Sequence, residues 1–193
     1  MDLQWRIARD SFFVLDPDRE LDEVLARIRS RKVAQVLRYW HSLRRGRELP
    51  SRADVDPAEI KSALPNLMIA GIVHEPFRVR YRLVGTEIVH WAGLDFTNRF
   101  ADELVFDDDG RDWTDYYRAV VDARKPAYGL SDWVVEGCVP LWVEMVICPL
   151  SSDGRAIDRC LAIEDYEPID EIDIEALPPV AARNGMPLKK MFE

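Results

Sequence analysis

Three histidines and three cysteines are the residues of this 193-residue chain best suited to metal or nucleophilic chemistry. His41, His74 and His90 stand far apart, and none belongs to a zinc-type helical motif. Cys138, Cys148 and Cys160 are separated by ten and twelve residues, spacings that do not suit a compact metal site. An odd number of cysteines cannot complete a disulfide set, so they read as reduced, small buried hydrophobes. Cys138, beside Gly137 near a turn, is the one expected to be most exposed. Asp107-Asp108-Asp109-Gly110 begins like a calcium loop. Its twelfth position is Arg118 where a glutamate is needed, so the run reads as a solvated loop feeding a helix cap. There is no Ser-His-Asp arrangement, nucleophile elbow or phosphate-cradling glycine loop, and Gly85-Thr86-Glu87 has only a single glycine. The expectation is a protein that is not an enzyme and has no catalytic or metal residues. An enzyme assembled from scattered residues is the remote alternative.

Composition narrows the partners. Hydrophobic residues make up 48% and charged residues 32%, the balance of a soluble globular protein. The formal charge of -9 and a pI near 4.9 argue against nucleic acid as a partner, which needs clustered positive charge. No apolar run approaches the ~20 residues of a membrane span. The first residues, Met1-Asp2-Leu3-Gln4-Trp5-Arg6, lack the features of a signal peptide. The expected location is the cytoplasm. Charge is nevertheless uneven. Residues 19–52 carry ten Lys/Arg against four Asp/Glu, while residues 53–193 carry 14 against 27. A basic segment is attached to an acidic body. It reads as a solvated helix or as a docking surface for an acidic partner or a second copy.

The elements that must position any site follow from periodicity. Residues 1–17 form an extension whose Phe12-Phe13-Val14-Leu15 run is too short to type. Asp16-Pro17-Asp18 signals a helix start, with Asp18 as N-cap. Leu21, Val24, Leu25 and Ile28, then Val33, Val36, Leu37, Trp40 and Leu43, predict one long helix, or two abutting ones, over 18–45. Such a stripe needs cover, and a homodimer through residues 18–45 is the expectation. Asp56-Pro57-Ala58-Glu59 opens a short helix that Pro65 stops, closing a helical segment over 18–64.

From 65 to 167 the pattern changes. Leu67–Val73 is a buried strand, and Arg78–Val84 alternates with Val79, Tyr81 and Leu83 on one face and three arginines on the other. A short helix covers 87–92, and a second contains Trp113, Tyr116, Tyr117, Val120 and Val121. Strands follow over 127–136, 140–149 and 157–165, the middle one with Leu141, Val143, Met145 and Ile147 on one face. The tail 168–193 is acidic, then Pro-rich.

This β-β-α-α-β-β-β order resembles a PAS domain, as does Tyr81-Arg82-Leu83-Val84-Gly85-Thr86 followed by a helix and Gly93-Leu94-Asp95-Phe96-Thr97-Asn98-Arg99. Trp40-His41-Ser42-Leu43-Arg44-Arg45-Gly46-Arg47 with Pro50-Ser51-Arg52-Ala53-Asp54-Val55-Asp56-Pro57 resembles the N-terminal signature of a bacterial family of small stand-alone PAS-like proteins. The likeness covers about 35–167. It implies an α+β fold, a PAS-like five-stranded antiparallel sheet with helices on one face, preceded by the long N-terminal helix. It also implies a sensory or regulatory domain acting through a partner protein or self-association. A haem-binding member needs an axial ligand, and the helix that most often supplies one, matching 112–124 here, has no histidine. A flavin photosensor needs a cysteine in the loop after the helices, and 94–100 has none. No cofactor is therefore expected. The cavity that the resemblance implies would be lined by Val79, Tyr81, Ile88, Trp91, Tyr117, Val120, Met145 and Ile147, suited to a small, largely apolar ligand. The alternative is an adaptor with a filled core that works only by protein contact.

Overall fold

The computed structural model describes residues 11–104, 113–133 and 141–168. Six strands form one antiparallel sheet: β1 (Ser11–Val14), β2 (Leu67–His74), β3 (Phe77–Val84), β4 (Ala127–Trp133), β5 (Leu141–Leu150) and β6 (Arg159–Pro168). Their order is β1-β4-β5-β6-β2-β3. The helices are α1 (Leu21–Arg27), α2 (Arg31–Leu43), α3 (Thr86–Ala92) and α4 (Trp113–Ala123), with a long 3-10 segment at Pro57–Asn66. The predicted Asp107–Gly110 loop and Cys138 lie outside the described residues.

The sheet has one strand more than the five expected. The apolar run of the extension supplies it: Ser11 to Val14 pair with Leu130 to Ala127, and the Leu15 amide donates to the Pro126 carbonyl at 2.9 Å. Four residues carry no readable period. Only the exposed edge of β4 decides that they become a strand.

Of the one long helix or two abutting ones expected over 18–45, the structure has two, α1 and α2. Ile28 closes α1 with an extended backbone. The next two amides, Arg29 and Ser30, donate to the two oxygens of Glu144 at 3.0 and 2.6 Å. Ser30 then caps α2, its Oγ accepting from the Val33 amide at 3.1 Å and donating to Asp165 at 2.7 Å. A buried carboxylate more than 100 residues away thus takes donors that a continuous helix would direct to its own carbonyls. Asp18 does not cap a helix. It pairs with Arg44 at 2.6 Å.

The two helices of the domain, α3 and α4, share one face of the sheet as expected, and the N-terminal α2 covers the other. The β5–β6 register sets Glu144 against Asp165 and Met145 against Glu164. Alternation then puts Trp142, Glu144, Val146 and Cys148 on one face of β5 and Val143, Met145 and Ile147 on the other. The first face, called outer here, is covered by α2. Val33, Val36, Leu37 and Trp40 are fully buried there, and Trp40 Nε1 donates to the Pro149 carbonyl at 2.8 Å. The apolar stripe read as a dimer seam therefore covers the chain's own sheet. The inner face meets α3 and α4. Gly129 on β4 lets Phe12 and Met145 close over it, and the Phe12 ring meets Tyr116 of α4 edge-on at 4.5 Å.

Candidate functional site

The inner face is built from alternate residues of neighbouring strands. Val79 and Tyr81 on β3 lie beside Ile72 and Ala70 on β2, and Ala70 lies beside Cys160 on β6. Met145 and Ile147 on β5 lie opposite Glu164 and Ala162. Ile88 of α3 and Tyr117 and Val120 of α4 close over this surface. All seven sequence-predicted residues among these are buried, at 0–3% exposure. The eighth, Trp91, is not enclosed. It is 38% exposed at the end of α3, against His90 on one side and the Tyr166 ring, 5.6 Å away, on the other.

Polar groups interrupt the apolar wall. The Tyr81 and Tyr117 rings meet edge-on at 6.2 Å, and burial pushes the Tyr117 phenol far above its ordinary range. The loop after α3 holds Tyr81 in place. The Tyr81 amide donates to Arg99 at 3.0 Å, the Asn98 amide donates to the Tyr81 carbonyl at 2.7 Å, and Phe96 packs on the ring at 4.8 Å.

Sequence reading missed two members of this face, Glu164 and Tyr166. The Tyr166 hydroxyl donates to Glu164 Oε2 at 2.7 Å. Burial raises the Glu164 carboxyl above the usual 4.5, and the Tyr166 bond only partly offsets this. The signal that could have found them is the period-2 continuation from Cys160 and Ala162. It became informative only once the register showed which face looks toward α4.

The raised carboxyl has a stability consequence. Below pH 4.5 it is protonated in both folded and unfolded chains. As pH rises, the unfolded chain ionises first, so this group's contribution to stability is lost as pH climbs through the raised folded value. The groups facing it, the Tyr166 and Tyr117 phenols, have their own ionisation pushed upward and stay neutral in that window, while Glu87 bears on Tyr166 from α3. Glu164→Gln should therefore gain in melting temperature over the wild type as pH rises from 4.5, then level off. A difference that does not change with pH would contradict the raised carboxyl.

His90 is exposed and α4 has no histidine, so no axial haem ligand faces inward from either helix. Cys148 and Cys160 lie on β5 and β6, away from the loop after α3, and burial raises both thiols. Thiols held protonated in this way are poor nucleophiles. Among the described residues no group of three His, Cys, Asp or Glu could hold a metal ion. None of the described helices is long and apolar enough to cross a membrane.

A depression of about 230 Å³ lies on the outer face, where α1 breaks from α2. Its Glu144 and Asp165 carboxylates are already engaged by the chain. Glu144 takes the two amides and the Tyr128 hydroxyl, and Asp165 takes Ser30, Lys32 and Asn66.

An antiparallel sheet in this order, with two short helices over an aromatic inner face, defines a PAS-like α+β domain. A family model described as PAS domain matches residues 28–163, and the chain belongs to that family. Membership places it among sensory and regulatory domains, which are in general signalling modules rather than enzymes. No curated protein matches the chain. Among solved structures it is similar to an RNA-binding light-oxygen-voltage receptor, with 11% identity and a TM-score of 0.41. The match covers 60% of this chain and 35% of that one, so the chain spans about a third of the receptor's length.

Proposed function

We propose that the chain is a non-enzymatic sensory domain that binds a small, largely apolar ligand between the inner face of the sheet and helices α3 and α4. The eight residues from Val79 to Ile147 named above form its wall, with Trp91 at the mouth. The observation that carries this reading is the Tyr81–Tyr117 pair, two buried phenols that meet edge-on within a largely apolar face. A few fixed polar groups in an apolar wall are what orient a small guest.

The output passes to a partner protein or a second copy. Since α2 turns its apolar stripe to its own sheet, the outward side of segment 18–45 is basic. Arg31, Arg38 and Arg45 are exposed there, which suits an acidic partner or the acidic body of another copy. The adaptor reading draws on a different fact, the 0–3% exposure of seven wall residues, which also describes a filled core.

Native mass spectrometry of protein purified from cells separates the two readings. The expected result is a second species heavier by one small molecule, lost on denaturation. A bare chain mass in every preparation, with partners still captured, would favour the adaptor.

A further inference from the structure

The inner face carries one charge that the chain does not balance. Alternation along β6 sends Glu164 and Tyr166 inward, opposite Met145 and Val143 of β5. Glu164 is half-buried. Its Oε2 takes the Tyr166 hydroxyl at 2.7 Å, and its Oε1 has no donor among the described residues. No lysine or arginine forms an ion pair with it among those residues, and none contributes to the shift of its carboxyl. Aromatic groups lie on its Tyr166 side. Tyr166 stacks at 5.6 Å on Trp91, and the Tyr117 phenol lies close enough to feel the Glu164 charge.

A half-buried carboxylate without a cation is unfavourable, and it gains most from a group that brings both positive charge and a hydrogen-bond donor. Aromatic faces at the same place favour a cation as well. A carboxylate ligand would be repelled, and a neutral alcohol would supply a hydrogen bond without the charge. We propose that Glu164 holds the basic end of the ligand, a protonated primary or secondary amine carried on a small apolar or aromatic body. Tyr166 fixes the carboxylate from one side, and the free Oε1 receives the ammonium. This rests on the reading of the inner face as a ligand pocket and adds the ligand's chemical class.

The test titrates the full chain by NMR with phenethylamine, 2-phenylethanol and 3-phenylpropionate, three probes of similar size and different charge. Phenethylamine should bind about tenfold or more tightly than the alcohol, the scale of one charge-assisted hydrogen bond. The acid should bind least. Glu164→Gln, nearly isosteric, should erase the amine's preference and leave the alcohol's affinity unchanged. Tyr166→Phe, which keeps the charge, should weaken the preference without abolishing it. With labelled glutamate, the Glu164 carboxyl should stay ionised to lower pH when the amine is bound, a shift that a purely structural Glu164–Tyr166 pair would not show. Equal affinity for amine and alcohol, or a preference that survives Glu164→Gln, overturns the amine assignment and leaves the pocket standing. Absence of binding by all three probes, together with a bare native mass, overturns both.

Discussion

Glu144→Ala should destabilise the chain by about 3 kcal/mol, the scale for removing a buried charged acceptor and leaving its donors without partners. Three donors converge on this carboxylate: the Arg29 and Ser30 amides and the Tyr128 hydroxyl, the last at 2.6 Å. The side chain is only 5% exposed, so water cannot readily replace it. For a chain of this size, that loss lowers the melting temperature by about 6–12 °C. The damage should be local before it is global. The Arg29 and Ser30 amides should lose hydrogen-exchange protection first, because Glu144 accepts both of them at the break between α1 and α2. Glu144→Gln keeps one acceptor oxygen and should recover part of the loss. A Glu144→Ala chain with wild-type melting and unchanged exchange at both amides would refute the clamp.

Gly85→Ala should be comparably severe, for a steric reason. Gly85 has an ordinary backbone conformation, φ -68° and ψ 152°, so conformational freedom does not explain the glycine. Space does. A Cβ there would fall on the Pro65 carbonyl, 2.5 Å from its carbon and 3.0 Å from the Leu64 oxygen. These are backbone atoms that cannot rotate away. Meanwhile the Gly85 amide is tied to the Leu67 carbonyl at 2.8 Å. Relief requires the start of α3 to separate from the 3-10 segment, at a cost of about 3 kcal/mol or more, the upper range for overpacking. Gly93→Ala provides the comparison. Gly93 has φ +66° and open space around it, so a side chain there meets only the left-handed backbone penalty of about 1 kcal/mol. Thermal unfolding of the two variants side by side is the measurement. If Gly85→Ala melts no lower than Gly93→Ala, the close approach is not what requires the glycine.

Both residues show where sequence reading stops. Gly85 was visible as the start of α3, but the carbonyl it must accommodate was not. Glu144 was visible as one of the residues alternating opposite Met145 on β5, and nothing local distinguished it from a solvated strand glutamate. The same limit applies to Glu164, which reads as one acid among several in Ile163-Glu164-Asp165-Tyr166-Glu167. The predicted wall came from the PAS resemblance, and alternation grouped Val79 with Tyr81 and Met145 with Ile147. Trp91 was named the same way, and it is exposed at the end of α3.

Apolar runs and periodicity by themselves determined β2 to β6, helices α3 and α4 and their PAS-like order, because they are properties of each segment alone. They also determined that residues 21–43 carry a stripe in need of cover. Only the tertiary structure decided what covers it, where the helix breaks, that four residues near the start become the sixth strand, and which carboxylates end inside. Those outcomes depend on the cross-strand register and on hydrogen bonds between groups more than 100 residues apart, which no local spacing records.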